Sequence, residues 1–261
     1  MRDLLNTIHT ADCNLFMSDL PEACIDLTVT SPPYDKLRVY NGFSFDVDLV
    51  IKNLYRITKK GGIVVWVVSD QTVKGSESGT SFRTALKFME IGFNLHDTMI
   101  YAKKNFIPQT HNRYEQEFEY MFVFSKGKPN TFSPLKVPAK TAGQTMKLGQ
   151  KGYGFKEGSF RRRHEEITTG ENKTPGNIFY YACGSSGKNH PAVFPAALAA
   201  DHIKTWTNPL DIVFDPFSGS GTTCEEAKRL SRWHLGCDIS AQYVKESNES
   251  LANIDSIFDI L

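Results

Sequence analysis

Thr30-Ser31-Pro32-Pro33-Tyr34 puts a hydroxyl, two ring-locked residues and an aromatic face on consecutive positions. Paired prolines fix φ and remove two N–H donors, so such a turn presents carbonyl oxygens in a rigid arrangement. Acceptors beside a stacking ring suit a planar group that bears an NH₂. Taken alone, a Pro-Pro pair after an apolar run is most often simply a turn. A second run, Asp215-Pro216-Phe217-Ser218-Gly219-Ser220-Gly221-Thr222-Thr223, carries two glycines one residue apart. At a strand-to-helix turn such glycines let the backbone approach a ligand closely. No Lys follows Gly221, which excludes a phosphate-gripping P-loop, and Cys224 stands where a dinucleotide fingerprint needs a third glycine. Asp238 lies seventeen residues beyond Gly221. In doubly wound folds an acid there accepts ribose hydroxyls, although position alone favours a helix cap.

The elements that must position these residues show in the hydrophobic pattern. Ile25–Thr30 reads as a buried strand ended by the prolines, and residues 63–68 as another, all apolar and mostly β-branched. Residues 45–58 have helical spacing at Val47, Val50, Ile51, Leu54 and Ile57, with Lys59-Lys60-Gly61-Gly62 as the stop. Residues 69–81 read as a loop, 82–91 as a helix, and 95–102 and 118–124 as strands. Further on, 190–205 and 223–230 read as helices, and 212–214 and 234–237 as strands. Strands alternating with helices predict an α/β fold with a mostly parallel sheet flanked by helices. Between residues 129 and 174 apolar periodicity fades while Gly and Lys become frequent, the mark of an irregular insertion.

Composition bounds the class. The chain has 261 residues, 40% hydrophobic and 23% charged, which suits one globular α/β domain with an insertion and excludes a disordered or fibrous chain. No apolar run approaches a membrane span, and residues 1–6 break off before a signal-peptide core could form. The five cysteines are scattered with no C-x-x-C pair, so a cytoplasmic protein is expected. The seven histidines show no ligand spacing, and no metal is expected. The net charge of +1 hides an asymmetry. Residues 126–190 hold twelve Lys/Arg against four acids, a basic block that reads either as a footprint for a polyanion or as a solvated surface loop.

Together the two runs resemble the S-adenosylmethionine-dependent DNA methyltransferases that modify exocyclic amino groups. The Pro-Pro-Tyr block precedes the glycine block, similar to the permuted β-group order. Ala11-Asp12-Cys13 resembles that family's acid-bearing turn, and residues 54–62 its helix end before the next strand. Glu119-Tyr120, followed by Phe124-Ser125-Lys126, resembles the strand pair beside the target base. Residues 189–195, with His190 and Phe194, resemble the segment that packs along the cofactor.

The resemblance implies a Rossmann-like methyltransferase fold in three parts. Residues 1–128 would form the catalytic half, 129–174 an irregular basic target-recognition insertion, and 175–261 the cofactor-binding half. Ser31, Pro32, Pro33 and Tyr34 would be catalytic. S-adenosylmethionine would meet Asp12, Asp215, Phe217, Gly219, Gly221, Thr222, Asp238, His190 and Phe194. Tyr34, Glu119 and Tyr120 would form the target-base pocket. Lys140, Lys147, Lys151, Arg161, Arg162 and Arg163 would contact double-stranded DNA, the expected partner, and a cognate restriction endonuclease would suit such an enzyme.

The target amine lies inside a duplex, so its base must be flipped out for roughly a few kcal/mol. Stacking on Tyr34 would recover about 1–3 kcal/mol. Ser31 heading the turn is a habit of the N4-cytosine branch, whereas adenine enzymes usually carry Asp there. Ala192 and Phe194 fit the same branch, and Val193 departs from it. N4-cytosine is therefore the expected target, with N6-adenine the alternative. RNA-base or protein-amide methylation on the same scaffold, and a catalytically silent nucleic-acid-binding protein, are the rival readings. No Pro-Cys motif supports a covalent thiolate route.

Overall fold

The computed structural model describes residues 1–33, 46–105, 113–147, 166–182 and 195–255. It divides into two compact units, Met1–Ser133 with Asn177–Leu261, and Pro134–Gly176. The first unit begins with β1 (Thr7–Thr10), α1 (Cys13–Asp19), β2 (Ile25–Thr30), α2 (Val47–Ile57) and β3 (Thr58–Val68). It continues through β4 (Thr72–Val73), β5 (Ser76–Glu77), α3 (Thr80–Ile91), β6 (Asn94–Lys103) and β7 (Phe118–Ser125). The second unit holds β8 (Val137–Pro138), β9 (Thr145–Lys147), β10 (Glu166–Thr168) and β11 (Asn172–Lys173). The first unit resumes with β12 (Ile178–Tyr181), α4 (Ala196–Trp206), β13 (Ile212–Asp215), α5 (Thr222–Arg229), β14 (Trp233–Asp238) and α6 (Ala241–Ala252).

Eight strands form one sheet in the order β1-β14-β13-β2-β3-β7-β6-β12. Every neighbouring pair is parallel except the two made by β7. This is the mixed, mostly parallel α/β sheet that the pattern predicted. Side chains alternate between two cores. Val64, Trp66, Phe124 and Phe214 pack with Met17, Leu54 and Phe88 from α1, α2 and α3. Leu27, Val29, Val65 and Val213 pack on the other face with Leu198 and Ile203 from α4. Helix α2 forms because Val50, Ile51, Leu54 and Ile57 share one buried stripe and the Asp46 carboxylate accepts the Leu49 N–H.

The structure departs from the sequence reading in several places. Lys59-Lys60-Gly61-Gly62 does not stop a helix, because β3 already begins at Thr58. Gly61 (φ +81°) lets this strand bend where its N–H meets the Lys126 carbonyl, in a space that Asn130 otherwise fills. The expected loop 69–81 contains the β4–β5 hairpin and the first residues of α3. The described helix α4 starts at Ala196, and residues 190–194 lie outside the described residues. In the first unit the sequence reading placed no strand at β1, β4, β5 or β12 and no helix at α1, and for α6 it offered only a helix cap at Asp238.

The second unit is more regular than its sequence suggested. β8 pairs antiparallel with β11, and β9 pairs antiparallel with β10, so the chain runs out and back along nested strands. Between the two ladders the Gly143 N–H donates to Thr169 O and the Thr169 N–H to Gln144 O. Backbone pairing thus supplies the order that apolar periodicity did not show.

Candidate active site

The strands β1, β14, β13, β2 and β3 run the same way, so their carboxyl ends share one edge of the sheet. Both chemistry-bearing runs emerge there. Asp215, the last residue of β13, is 1% exposed. Its Oδ1 accepts from Thr30 Oγ1 at 2.7 Å and from the Phe217 N–H at 3.0 Å. Burial pushes the Asp215 carboxyl up from an ordinary 3.8 to about 6, against the hydrogen bonds that favour its charge, and nearby Asp238 adds to the rise. Thr30 directly precedes Ser31. One buried bond thus joins segments 185 positions apart in the chain and sets the Ser31 turn beside the glycine turn. The Thr223 hydroxyl adds a second tie by donating to Val29 O at 3.1 Å.

The glycine turn is built from the inside. Gly219 has φ +47° and Gly221 has φ +79°, conformations that side chains rarely adopt. A Cβ on Gly221 would stand 2.9 Å from Ser247 Cβ and 3.2 Å from Ile8 Cδ1. The Ser247 hydroxyl donates to Gly219 O at 3.0 Å, and the Ser218 hydroxyl to Asp215 O at 2.9 Å. Gly221 then caps α5, with Thr222 buried in its first turn. The half-buried Phe217 ring meets Trp66 edge-on at 6.3 Å between centroids.

Asp238, at the end of β14, holds this turn from the other side. Its Oδ2 accepts the Gly219 N–H at 2.9 Å and its Oδ1 the Ser240 N–H at 2.8 Å. The cap of α6 is Ser240, whose hydroxyl oxygen accepts from Tyr243 N. Asp238 is thus a brace for the glycine turn. On the neighbouring strand β1, Thr10 is in register with Asp238, and the Ala11 N–H donates to Asp238 O. Asp12 comes next and caps α1, its Oδ1 accepting from Asn14 N and Leu15 N at 2.9 and 3.1 Å. Cys13 is buried beside both acids. Burial first, and then the Asp12 and Asp238 charges, push its thiol up to about 12.

Of the other predicted residues, Ser31 and Pro33 are half-buried and Pro32 is buried. The antiparallel course of β7 brings its first residues to the same edge as the parallel strand ends. There Glu119 forms an ion pair with Lys103 Nζ at 2.9 Å. Tyr120 lies among Phe82, Phe118 and Phe122, at ring distances of 5.4, 5.3 and 5.2 Å. Burial raises its phenol, and the charges of Asp70 and Glu77 add to that. In the second unit Lys140 is exposed, and Lys147 ends β9. Tyr34, Lys151, Arg161, Arg162, Arg163, His190 and Phe194 lie outside the described residues.

Some residues at this edge escaped the sequence reading. Thr30 was noticed only as part of a run, yet it carries the bond between the two motifs. Asp70, just past β3, accepts from Ser78 Oγ at 2.8 Å, from Ser81 N at 3.0 Å and from Ser81 Oγ. Burial opposes its charge, but these hydrogen bonds prevail and hold the carboxyl below its ordinary value. An acid two residues past an apolar strand was the available signal. Among the described residues, no three His, Cys, Asp or Glu side chains are grouped to hold a metal, and no helix is long and apolar enough to cross a membrane.

Comparison with known proteins bears on the fold and the family. The PvuII DNA methyltransferase, described as cytosine-N4-specific, has a similar fold at a TM-score of 0.67 and 20% identity, over 96% of this chain and 86% of that one. TTHA0409 of Thermus thermophilus, solved with S-adenosyl-L-methionine, matches at a TM-score of 0.64 and 23% identity, over 94% of each chain. In sequence the chain is similar to the orphan methyltransferase M.BamHII of Bacillus amyloliquefaciens. They are 49% identical over 243 residues, 90% of this chain and 91% of that one. Residues 25–249 match the model of the N6/N4 methyltransferase family, described as DNA methylase, and the chain belongs to that family.

Proposed function

We propose that this DNA methyltransferase transfers a methyl group from S-adenosylmethionine to the exocyclic N4 of a cytosine flipped out of duplex DNA. The observation that carries the reading is the Thr30–Asp215 hydrogen bond, which sets the Ser31-Pro32-Pro33 turn beside the Gly219–Gly221 turn. The residues present suit the donor. The glycine turn brings bare backbone to the sheet edge, Phe217 offers a half-buried aromatic face, and two carboxylates stand at adjacent strand ends. Asp238 would accept from the ribose hydroxyls and Asp12 from the adenine amino group, each through lone pairs left by its backbone partners. When bound, S-adenosylmethionine supplies an electrophilic methyl on a cationic sulfonium, a charge that an aromatic face such as Phe217 attracts.

The chain's own contribution is mainly alignment. The target NH₂ would donate to Ser31 Oγ and the Pro32 carbonyl, and these bonds favour a pyramidal nitrogen with its lone pair directed outward. Ser31 is too weakly basic to remove a proton first, and it need not, because the methylated ammonium is acidic and releases its proton afterwards. Positioning of this kind reaches about 7–11 kcal/mol in favourable systems. A hydroxyl at the head of the turn, where adenine enzymes usually carry Asp, supports cytosine. Lys140, Lys147, Lys151, Arg161, Arg162 and Arg163 of the basic insertion would carry the DNA contacts, meeting phosphates or guanine edges. A restriction endonuclease reading the same site is the partner against which such a mark would protect DNA.

The test is transfer of label from S-adenosylmethionine to DNA, followed by digestion to nucleosides. Labelled N4-methylcytosine is expected. Labelled N6-methyladenine would reassign the target, and binding without any transfer would favour the silent nucleic-acid-binding reading.

A further inference from the structure

Val29, Val67, Met121 and Tyr101 lie on four neighbouring strands, β2, β3, β7 and β6, and pack together in the core beneath α4. Side chains two residues apart along a strand share a face. Two residues nearer the carboxyl edge, the same row therefore continues as Ser31, Ser69, Glu119 and Lys103. An apolar layer thus ends in two hydroxyls, a carboxylate and an ammonium, level with the Ser31 turn. Glu119 and Lys103 are diagonal neighbours on the antiparallel pair β6–β7: Tyr101 is in register with Glu119, and the Lys103 N–H donates to Glu117 O. Their ion pair spans 2.9 Å, with the Lys103 side chain 20% exposed and that of Glu119 14%. Holding two charges this far from water costs desolvation that an apolar pair would avoid.

An ammonium has three donors, and Glu119 takes one. The bond to Glu119 draws the Lys103 charge back over β7, two strands or roughly 10 Å from the β2 end that Ser31 continues. A hydrogen bond of about 3 Å at either end leaves a gap on the order of one pyrimidine ring. Enzymes that extrude a base read it by hydrogen bonds along its pairing edge. On cytosine that edge runs from the amino group through N3 to the O2 carbonyl; on adenine it runs from the amino group through N1 to a C–H. The first two positions are alike, so the third separates the bases. Resting on the cytosine reading above, we propose that Lys103, held by Glu119, donates to O2 of the flipped cytosine and sets the base specificity of the transfer. Ser31 orients the nitrogen at one end of the ring, and Lys103 reads the other. Adenine in the same place sets a C–H against the ammonium, which loses water and gains no acceptor. Glu119 is a positioning residue: it fixes where the donor stands.

The test uses two DNA duplexes carrying the sequence that the wild type methylates, with cytosine or adenine at the target position. The target is mispaired in both, so that extrusion costs the two bases alike. The wild type is expected to favour cytosine in kcat/KM by about a hundredfold or more. Lys103→Met should narrow that ratio at least tenfold, chiefly through the loss on cytosine, with the dissociation constant for S-adenosylmethionine unchanged. Lys103→Arg keeps a charged donor and should retain most of the ratio. Lys103→Gln, closer to lysine in polarity, gives the same comparison if the methionine variant does not fold. Equal losses on both bases overturn the proposal and leave Lys103 as scaffold, and so does an unchanged ratio; in either case the cytosine reading stands. A wild type that transfers to adenine alone overturns the cytosine reading, and the role of Lys103 with it.

Discussion

Asp238 illustrates how one side chain serves both scaffold and ligand. Both of its oxygens already accept backbone N–H groups, from Gly219 and Ser240, which fixes the carboxylate without using all its lone pairs. A ribose held by this carboxylate would gain a hydrogen bond to a charged group, about 1.5–3 kcal/mol, or roughly ten- to a hundredfold in affinity. Asp238→Ala should therefore raise the dissociation constant for S-adenosylmethionine at least tenfold, measured by calorimetric titration. An unchanged constant would leave Asp238 as a brace of the turn alone. Asp238 was legible in the sequence as an acid just past a strand, and Asp12 only through the family resemblance. Their bonds to the α1 terminus and to Gly219 were not, because a hydrogen-bond partner depends on where the chain returns.

At the scale of elements, the glycine turn and α6 depend on each other. Gly221 needs both its positive φ and the absence of a Cβ, since Ser247 from α6 fills the space beside it. Gly221→Ala should cost roughly 1–3 kcal/mol of unfolding free energy in urea and weaken S-adenosylmethionine binding in parallel, because strain and the clash act together. Ser247→Gly alongside it should recover only the steric part. Helix α6 itself escaped prediction because only Val244, Ser247 and Leu251 of its residues are buried, too sparse a stripe to read as a period. Strand β1 buries one side chain, Ile8, and is a strand because β14 pairs with it. The strong elements β2, β3 and α2 were readable because their apolar residues form continuous runs or a full helical face.

Across the whole molecule, buried ionisable groups set the response to acid. Burial holds the His202 ring down to about 4, and burial with the Lys228 charge does the same to His234. A histidine depressed on folding lends stability above its ordinary 6.5, and that stability is lost as pH falls through about 4. Asp215 acts oppositely: raised to about 6, it favours folding below 3.8 and loses that contribution as pH rises through 6. Two histidines against one aspartate predict net destabilisation between pH 6.5 and 4, up to about 3 kcal/mol for each ring. His234→Leu should leave the melting temperature at pH 7 equal or higher and flatten its fall toward pH 4.5. A wild-type acid slope in that variant would remove His234 as a source.

The amino-acid sequence by itself determined the class of fold, the two motifs and the chemistry they suit. Those properties reside in local runs: apolar periods, paired prolines and spaced glycines constrain the backbone wherever they occur. It also marked the basic insertion, because charge is additive along the chain. Only the tertiary structure decided that Thr30 bonds Asp215, that Ser240 caps α6 while Asp238 braces Gly219, and that the insertion is a nested pair of ladders. The Thr30 bond, the Asp238 brace and the ladders each join residues distant in sequence, which meet only once the chain has folded back on itself, whereas the Ser240 cap is local.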